Sequence, residues 1–187
     1  MTADHLYEEM VMAGFGGQGI VLAGKLLAQT AMKAGWQVTY MPSYGAEVRG
    51  GTANCMVIMS NKPIACPVVS TPNSLVICNK ASLSKFAPHL KAGGLLVFNS
   101  SLIQSAPSVP QGVAVLGIPA EEIALESGSP KSANMVMLGA YLGKRGHLSP
   151  QQAAESLPAI LAERHHKMIP INAEALRRGA DFALGHT

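Results

Sequence analysis

Charge is what this chain has least of. Only 13% of its 187 residues are Asp, Glu, Lys or Arg, about half the share of an average soluble domain. Such a surface suits an assembly component better than a solitary monomer, because extended apolar surface marks contacts. The formal net charge is +3, without blocks of like charge, and the aromatics come to four Phe, four Tyr and one Trp. That composition lacks the basic and aromatic patterning of a nucleic-acid binder. Cysteine is scarce too. Cys55, Cys66 and Cys78 contain no C-x-x-C pair, so a disulfide framework, a zinc ribbon and an iron–sulfur ligand run all lack support. Each lies in an apolar, strand-like stretch and is read as a small buried hydrophobe. There is no run of about 18 apolar residues to span a bilayer. Met1 to Glu9 carries Asp4, Glu8 and Glu9 rather than the basic start of a signal peptide. The expected location is cytoplasmic, with no membrane partner.

Against these absences stands a clear alternation of apolar runs. Residues 9–13, 37–41, 52–60, 75–79, 95–99 and 113–117 read as strands, with 64–69 as an edge strand because Pro67 cannot donate to a ladder. Helical patterns cover 20–34, 82–90, 120–126, 132–144, 150–164 and 171–184. In the first helix Lys25, Gln29 and Lys33 recur every four residues as one narrow polar stripe, and Gly35 follows as a stop. Ser82 and Ser132 are candidate N-caps. Ser149-Pro150 combines an N-cap with proline at the first helical position. The 132–144 helix is apolar around most of its circumference, which predicts a central or interfacial place. Continuous apolar strands alternating with helices define an α/β protein. Residues 1–187 are read as a single domain, a three-layer α/β/α Rossmann-like sandwich on a mixed, mostly parallel sheet.

The first strand runs into Gly14-Phe15-Gly16-Gly17-Gln18-Gly19 and then a helix. Gly14, Gly16 and Gly19 satisfy G-x-G-x-x-G in the strand–turn–helix setting that gives the motif meaning. A dinucleotide site also needs an acid at the end of the second strand, to hold a ribose. Here that strand ends Thr39-Tyr40-Met41-Pro42, which weakens an NAD or FAD reading. Two others remain: a turn for tight strand–helix packing and subunit docking, or a phosphate-bearing ligand shared with a partner. Gln18 has the choice of bonding a ligand, a neighbouring chain or its own loop.

The second loop, Tyr44-Gly45-Ala46-Glu47-Val48-Arg49-Gly50-Gly51, sets Tyr, Glu and Arg between glycines. Ordering such a segment is costly. In a parallel sheet it lies beside the first loop, at the carboxyl ends where ligands of α/β sheets collect. Arg49 suits a phosphate or carboxylate, and equally a salt bridge to Glu47 or to another subunit. Asn134, a lone amide in an apolar helix, is read as a satisfied core group or as part of the same rim. His165 and His166 are adjacent and point to different helix faces, which does not make a metal pair.

The two loops, with Leu75-Val76-Ile77-Cys78-Asn79, Gly93-Gly94-Leu95-Leu96-Val97-Phe98-Asn99-Ser100-Ser101 and Asn134-Met135-Val136-Met137-Leu138-Gly139-Ala140, resemble the γ subunit or γ domain of the 2-oxoacid:ferredoxin oxidoreductases. The resemblance covers residues 10–185 and departs from the family pattern at Ala46 and at Asn73-Ser74. It implies a subunit inactive alone, bearing no catalytic residue and binding no cofactor by itself. The complex would contain thiamine diphosphate, Mg, [4Fe–4S] clusters and coenzyme A. Implied partners are α and β catalytic subunits, a ferredoxin-like δ subunit and ferredoxin, with a homodimer possible for the isolated chain. The implied reaction is CoA-dependent oxidative decarboxylation of a 2-oxoacid, 2-oxoglutarate being favoured over pyruvate and branched-chain acids. The resemblance places Gly14, Gly16, Gly17, Gln18, Gly19, Tyr44, Gly45, Glu47, Arg49, Gly50 and Gly51 on loops facing ligand or partner, Arg49 as anion partner and Glu47 as its orienter. The competing readings are a free-standing nucleotide-binding oxidoreductase and a pure assembly scaffold.

Overall fold

The computed structural model describes residues 6–44, 51–105 and 108–186. Six strands, β1 (Tyr7–Phe15), β2 (Gln37–Tyr44), β3 (Thr52–Ser60), β4 (Ser74–Ile77), β5 (Leu95–Asn99) and β6 (Ala114–Ile118), form one sheet in the order β2-β3-β1-β4-β5-β6. β1, β4, β5 and β6 are parallel neighbours. β3 is antiparallel to both β1 and β2. Five strands therefore run one way and only β3 opposes them, so the sheet is mixed and mostly parallel, as the apolar runs implied.

The two faces are covered unequally. On one lie α1 (Ile20–Lys33), α3 (Ala120–Glu126), α4 (Ala133–Arg145), α5 (Pro150–Ala154), α6 (Leu157–Ile160) and α7 (Ile169–Gly185). The other carries the seven-residue α2 (Lys80–Phe86), a following 3-10 turn and loop residues such as Val69 and Ile103. The larger core is rich in sulfur. Met10, Met12, Met59, Met135 and Met137 are all at most 1% exposed, filling irregular gaps that stiffer side chains leave open.

α4 is buried nearly all round, which agrees with its apolar circumference. It meets α7 backbone to backbone. A Cβ on Gly139 would stand 2.0 Å from the Leu176 carbonyl oxygen, and one on Gly179 2.1 Å from that of Val136. At the amino ends of the strands, Arg145 closes the sheet. Its Nε lies 3.1 Å from Glu8 Oε1 and donates to Ser74 Oγ at 2.8 Å, and a terminal nitrogen donates to the Asn73 carbonyl at 2.6 Å. Ser74 and Tyr141 also donate to the 4% exposed Glu8 carboxylate. The Asn73-Ser74 pair, a departure from the family pattern, is thus occupied structurally.

Several boundaries differ from the sequence reading. Residues 64–69 form no strand. Pro63 and Pro67 lack ladder donors, and Val69 instead plugs the smaller core. Cys66, in that segment, is exposed rather than buried. Pro42 does not end β2, which continues to Tyr44. A proline is tolerated there because β2 is an edge strand. The 150–164 helix is broken into α5, α6 and a 3-10 turn at Glu163–Met168, since Pro158 cannot donate to the preceding turn. α2 is capped by Asn79, whose side chain accepts from the Ser82 N–H, so Ser82 is not the cap. Ser132 precedes α4 as expected but turns its hydroxyl to Asn172. Ser149 caps α5 in a full capping box. Among the described residues, no helix is long and apolar enough to cross a membrane.

Candidate functional site

The carboxyl ends of β1 and β4 separate where the chain leaves toward opposite faces, α1 to one and α2 to the other. In open α/β sheets this divergence creates a crevice. The turn of Gly14, Gly16, Gly17, Gln18 and Gly19 joins β1 to α1 there, and Gly17, Gln18 and Gly19 line the clefts beside it. Gly17 and Gly19 have φ of 99° and 72°, left-handed values that glycine adopts without strain.

The loop is braced from within. Gln18 folds back over the turn: its Oε1 accepts from the Phe15 N–H at 2.7 Å and its Nε2 donates to the Cys78 carbonyl at 3.4 Å. A Cβ on Gly14 would stand 2.6 Å from that Oε1. The Gly16 N–H donates to the Gly51 carbonyl at 2.8 Å, and the Gln18 N–H to that of Phe15. Three N–H groups of the turn are therefore already engaged, so it does not present all its donors to an anion. Asn134 closes the far side. Its Nδ2 donates to the Gly19 carbonyl at 3.0 Å and occupies the space a Gly19 side chain would need. It is both a satisfied core amide and part of the rim.

Tyr44 and Gly51 stand at the flanks of the second loop, with Tyr44 58% exposed. The Gly16–Gly51 bond ties that flank to the first loop, although the strands the second loop joins, β2 and β3, are antiparallel rather than parallel neighbours. Gly45, Glu47, Arg49 and Gly50 lie outside the described residues.

Beyond the glycine turn opens a cleft of about 550 Å³, lined by Gly17, Gln18, Cys78, Asn99, Glu121, Pro130, Lys131, Ala133 and Asn134. A second, of about 400 Å³, shares Gly17, Lys131 and Asn134 and adds Leu22, Met135, Leu161, His165, Lys167 and others. Three amide side chains, a carboxylate and a lysine thus converge on the first cleft. Oε2 of Glu121 is buried without a partner among the described residues. Asn99, Glu121 and Lys131 escaped the sequence reading. The available signal was weak: an asparagine ending an apolar strand and acids opening a helix. His165 faces the second cleft, while His166 hydrogen-bonds the Leu161 carbonyl.

Burial first, and then the charge of Glu121, pushes the Cys78 thiol up to about 12; burial does the same for Cys55. At pH 8 such a thiol is only about one part in 10⁴ thiolate. One thiol per native chain, that of Cys66, is expected to react with a disulfide reagent at pH 8, rising to three in denaturant. Prompt reaction of two or more native thiols would contradict the packing around Cys78 or Cys55.

A Rossmann-like domain with a braced glycine turn and an amide-lined cleft is the class of protein that fold and crevice define. Residues 9–182 match the family model for pyruvate ferredoxin/flavodoxin oxidoreductase, and the chain belongs to that family. It is 38% identical over 174 residues to the ketoisovalerate oxidoreductase subunit VorA of Methanothermobacter thermautotrophicus, covering 92% of this chain and 35% of that one. The chain therefore spans about a third of the length of this relative. The 2-oxoglutarate synthase subunit KorC of Methanocaldococcus jannaschii is 36% identical over 135 residues, 71% of this chain and 72% of that one. Among solved structures, the γ subunit of a keto/oxoacid ferredoxin oxidoreductase from Geobacter sulfurreducens superposes with a TM-score of 0.80 at 28% identity, covering 95% and 99% of the two chains. A chain of the 2-oxoglutarate:ferredoxin oxidoreductase from Magnetococcus marinus, with 2-oxoglutarate, coenzyme A and succinyl-CoA bound, does so with 0.85 at 27% identity, covering 97% of this chain and 32% of that one.

Proposed function

We infer that this chain is the γ component of a 2-oxoacid:ferredoxin oxidoreductase, and that its glycine rim shapes the coenzyme A side of a site built mainly by other subunits. The observation that carries this reading is the pair of loops held together at Gly16–Gly51, opening on a cleft with Lys131 at its border. Family membership and the coenzyme A named for the Magnetococcus complex support it. Among the described residues no group of three His, Cys, Asp or Glu is arranged to hold a metal ion. By the family resemblance, thiamine diphosphate, Mg and the [4Fe–4S] clusters are assigned to α, β and δ-type partners, which would deliver electrons to ferredoxin. The internal engagement of the glycine-loop donors, with no acid on β2 up to Tyr44, favours this reading over a nicotinamide or flavin site. The relatives include ketoisovalerate, 2-oxoglutarate, phenylglyoxylate and indolepyruvate enzymes, so substrate choice is placed on the catalytic subunits and 2-oxoglutarate stays one candidate among several.

Arg49 is assigned as the anion partner, with Glu47 orienting it. In a reconstituted complex, Arg49→Ala is expected to raise the KM for coenzyme A about tenfold, the loss of one charged contact, and to leave kcat within about twofold. An unchanged KM removes Arg49 from the site. Unchanged kinetics combined with failed assembly would favour the scaffold reading.

A further inference from the structure

The less covered face of the sheet carries one apolar row from edge to edge. Met41 opposes Met56, Met56 opposes Val11, and the row continues through Leu75, Leu96 and Val115. Residues directly opposite on neighbouring strands share a face. The middle of the row is sealed, Val11, Leu75 and Leu96 being at most 1% exposed, whereas Met41 at the β2 edge is 40% exposed. Met56 is half-buried. Phe15, on the same face by alternation from Val11 and Ala13, is also 40% exposed. With Leu102, 49% exposed, it lines a mainly apolar recess of about 680 Å³ whose ionisable lining residue is Lys80. The side chain of Asn79 in this recess caps α2 through its oxygen, while its buried Nδ2 has no partner among the described residues. Between Met56 and Phe15 the same face carries Asn54 and Thr52 beside Ala13, so the methionine strip at the β2 edge and the Phe15–Leu102 recess are two apolar patches parted by polar side chains, and Phe15 itself begins the glycine turn.

We propose that this face, with the Met41–Met56 strip and the Phe15–Leu102 recess as its two apolar anchors, is the surface on which the catalytic polypeptide of the complex docks, with an acidic group set toward Lys80. The inference rests on the γ-component reading. Two observations select this occupant. The same fold occurs as a separate chain in Geobacter and as about a third of a longer chain in the VorA relative and the Magnetococcus enzyme. A fold used both ways needs a face for the remaining polypeptide whether or not the two are joined. The Phe15–Leu102 recess also adjoins the rim assigned above to that polypeptide's chemistry. Leu125 and Leu184, 66% and 64% exposed, lie on the helical face, away from the rim.

The test uses the full chain co-expressed with its own catalytic subunits. Met41→Glu/Leu102→Glu is expected to weaken association at least 100-fold, while Leu125→Glu/Leu184→Glu changes it less than threefold. Oxidative footprinting of the wild type serves as the measurement that no misfolding can confuse. On complex formation Met41 should be protected, and Met32, 59% exposed on α1, should keep its reactivity. Equal association of both double variants, or an unprotected Met41, overturns the docking face while leaving the γ reading intact. Absence of any wild-type association overturns both. Conversion of a dimer of this chain to monomers by Met41→Glu/Leu102→Glu, with assembly undisturbed, would identify a second copy as the occupant and overturn the proposal.

Discussion

Gly139→Ala is expected to destabilise the fold by about 3 kcal/mol, the upper part of the range for forcing atoms into a packed interior. For a chain of this size that lowers Tm by roughly 6–12 °C. The sign is informative. In an exposed helix the same change stabilises by about 1 kcal/mol, because glycine is the poorer helix former. Here the added methyl would stand 2.0 Å from the Leu176 carbonyl oxygen, and backbone cannot swing aside as a flexible side chain can. α4 and α7 must separate, opening contacts along Val136, Ala140 and Ala180. Gly179→Ala, facing the Val136 carbonyl, should cost a similar amount. The double variant should cost less than the sum, since one separation relieves both clashes. Thermal and denaturant unfolding of the three variants checks this, and a rise in Tm for Gly139→Ala would refute the backbone contact.

Arg145→Met is expected to cost about 3 kcal/mol as well, by a different route. Removing one partner of a buried ion pair leaves the other charge uncompensated. Glu8 is 4% exposed and among the described residues would keep the Ser74 and Tyr141 hydroxyls. The carboxylate, more than the lost attraction, sets the magnitude. Adding Glu8→Gln to Arg145→Met should therefore recover at least half of the loss, because an amide tolerates burial that a bare charge does not. Were the double variant no more stable than Arg145→Met, the arginine would be acting through its aliphatic packing and its bond to the Asn73 carbonyl. Arg145 lies at the opposite end of the strands from the glycine rim, so assembly of the folded Arg145→Met protein should be little altered, whereas α4 also carries Asn134 on that rim.

How much of this was legible in sequence depends on the range of the interaction. The strand–turn–helix at residues 7–33 was legible because its determinants are local: an apolar run, glycines where φ must be positive, and a helix with one polar stripe. So was the N-cap at Ser149, although its capping-box partner Gln152 was not read. Prolines were legible too but were given the wrong weight. Pro158 breaks a helix whose periodicity otherwise runs on, and Pro63 and Pro67 defeat a stretch of strand-like composition. Pro42 is harmless because β2 turns out to be an edge, and only the complete strand order reveals that. The candidate site divides in the same way. Its glycines were found by spacing. The self-bracing of Gln18 depends on a turn geometry that composition does not fix, and Asn134 reaches Gly19 across 115 positions. Asn99, Glu121 and Lys131 become neighbours only once β4, β5 and β6 lie side by side.

The methionine-filled interior has a consequence of its own. Thioethers are readily oxidised when reached, and a sulfoxide is a polar, chiral group that no longer fits an apolar cavity. While the fold is closed, Met10, Met12, Met59, Met135 and Met137 are out of reach. Each global opening lends all five to any peroxide present, and a molecule modified at that moment cannot close again. In an oxidising medium this chain's lifetime is therefore set by how often it opens, so that reversible breathing becomes a one-way clock.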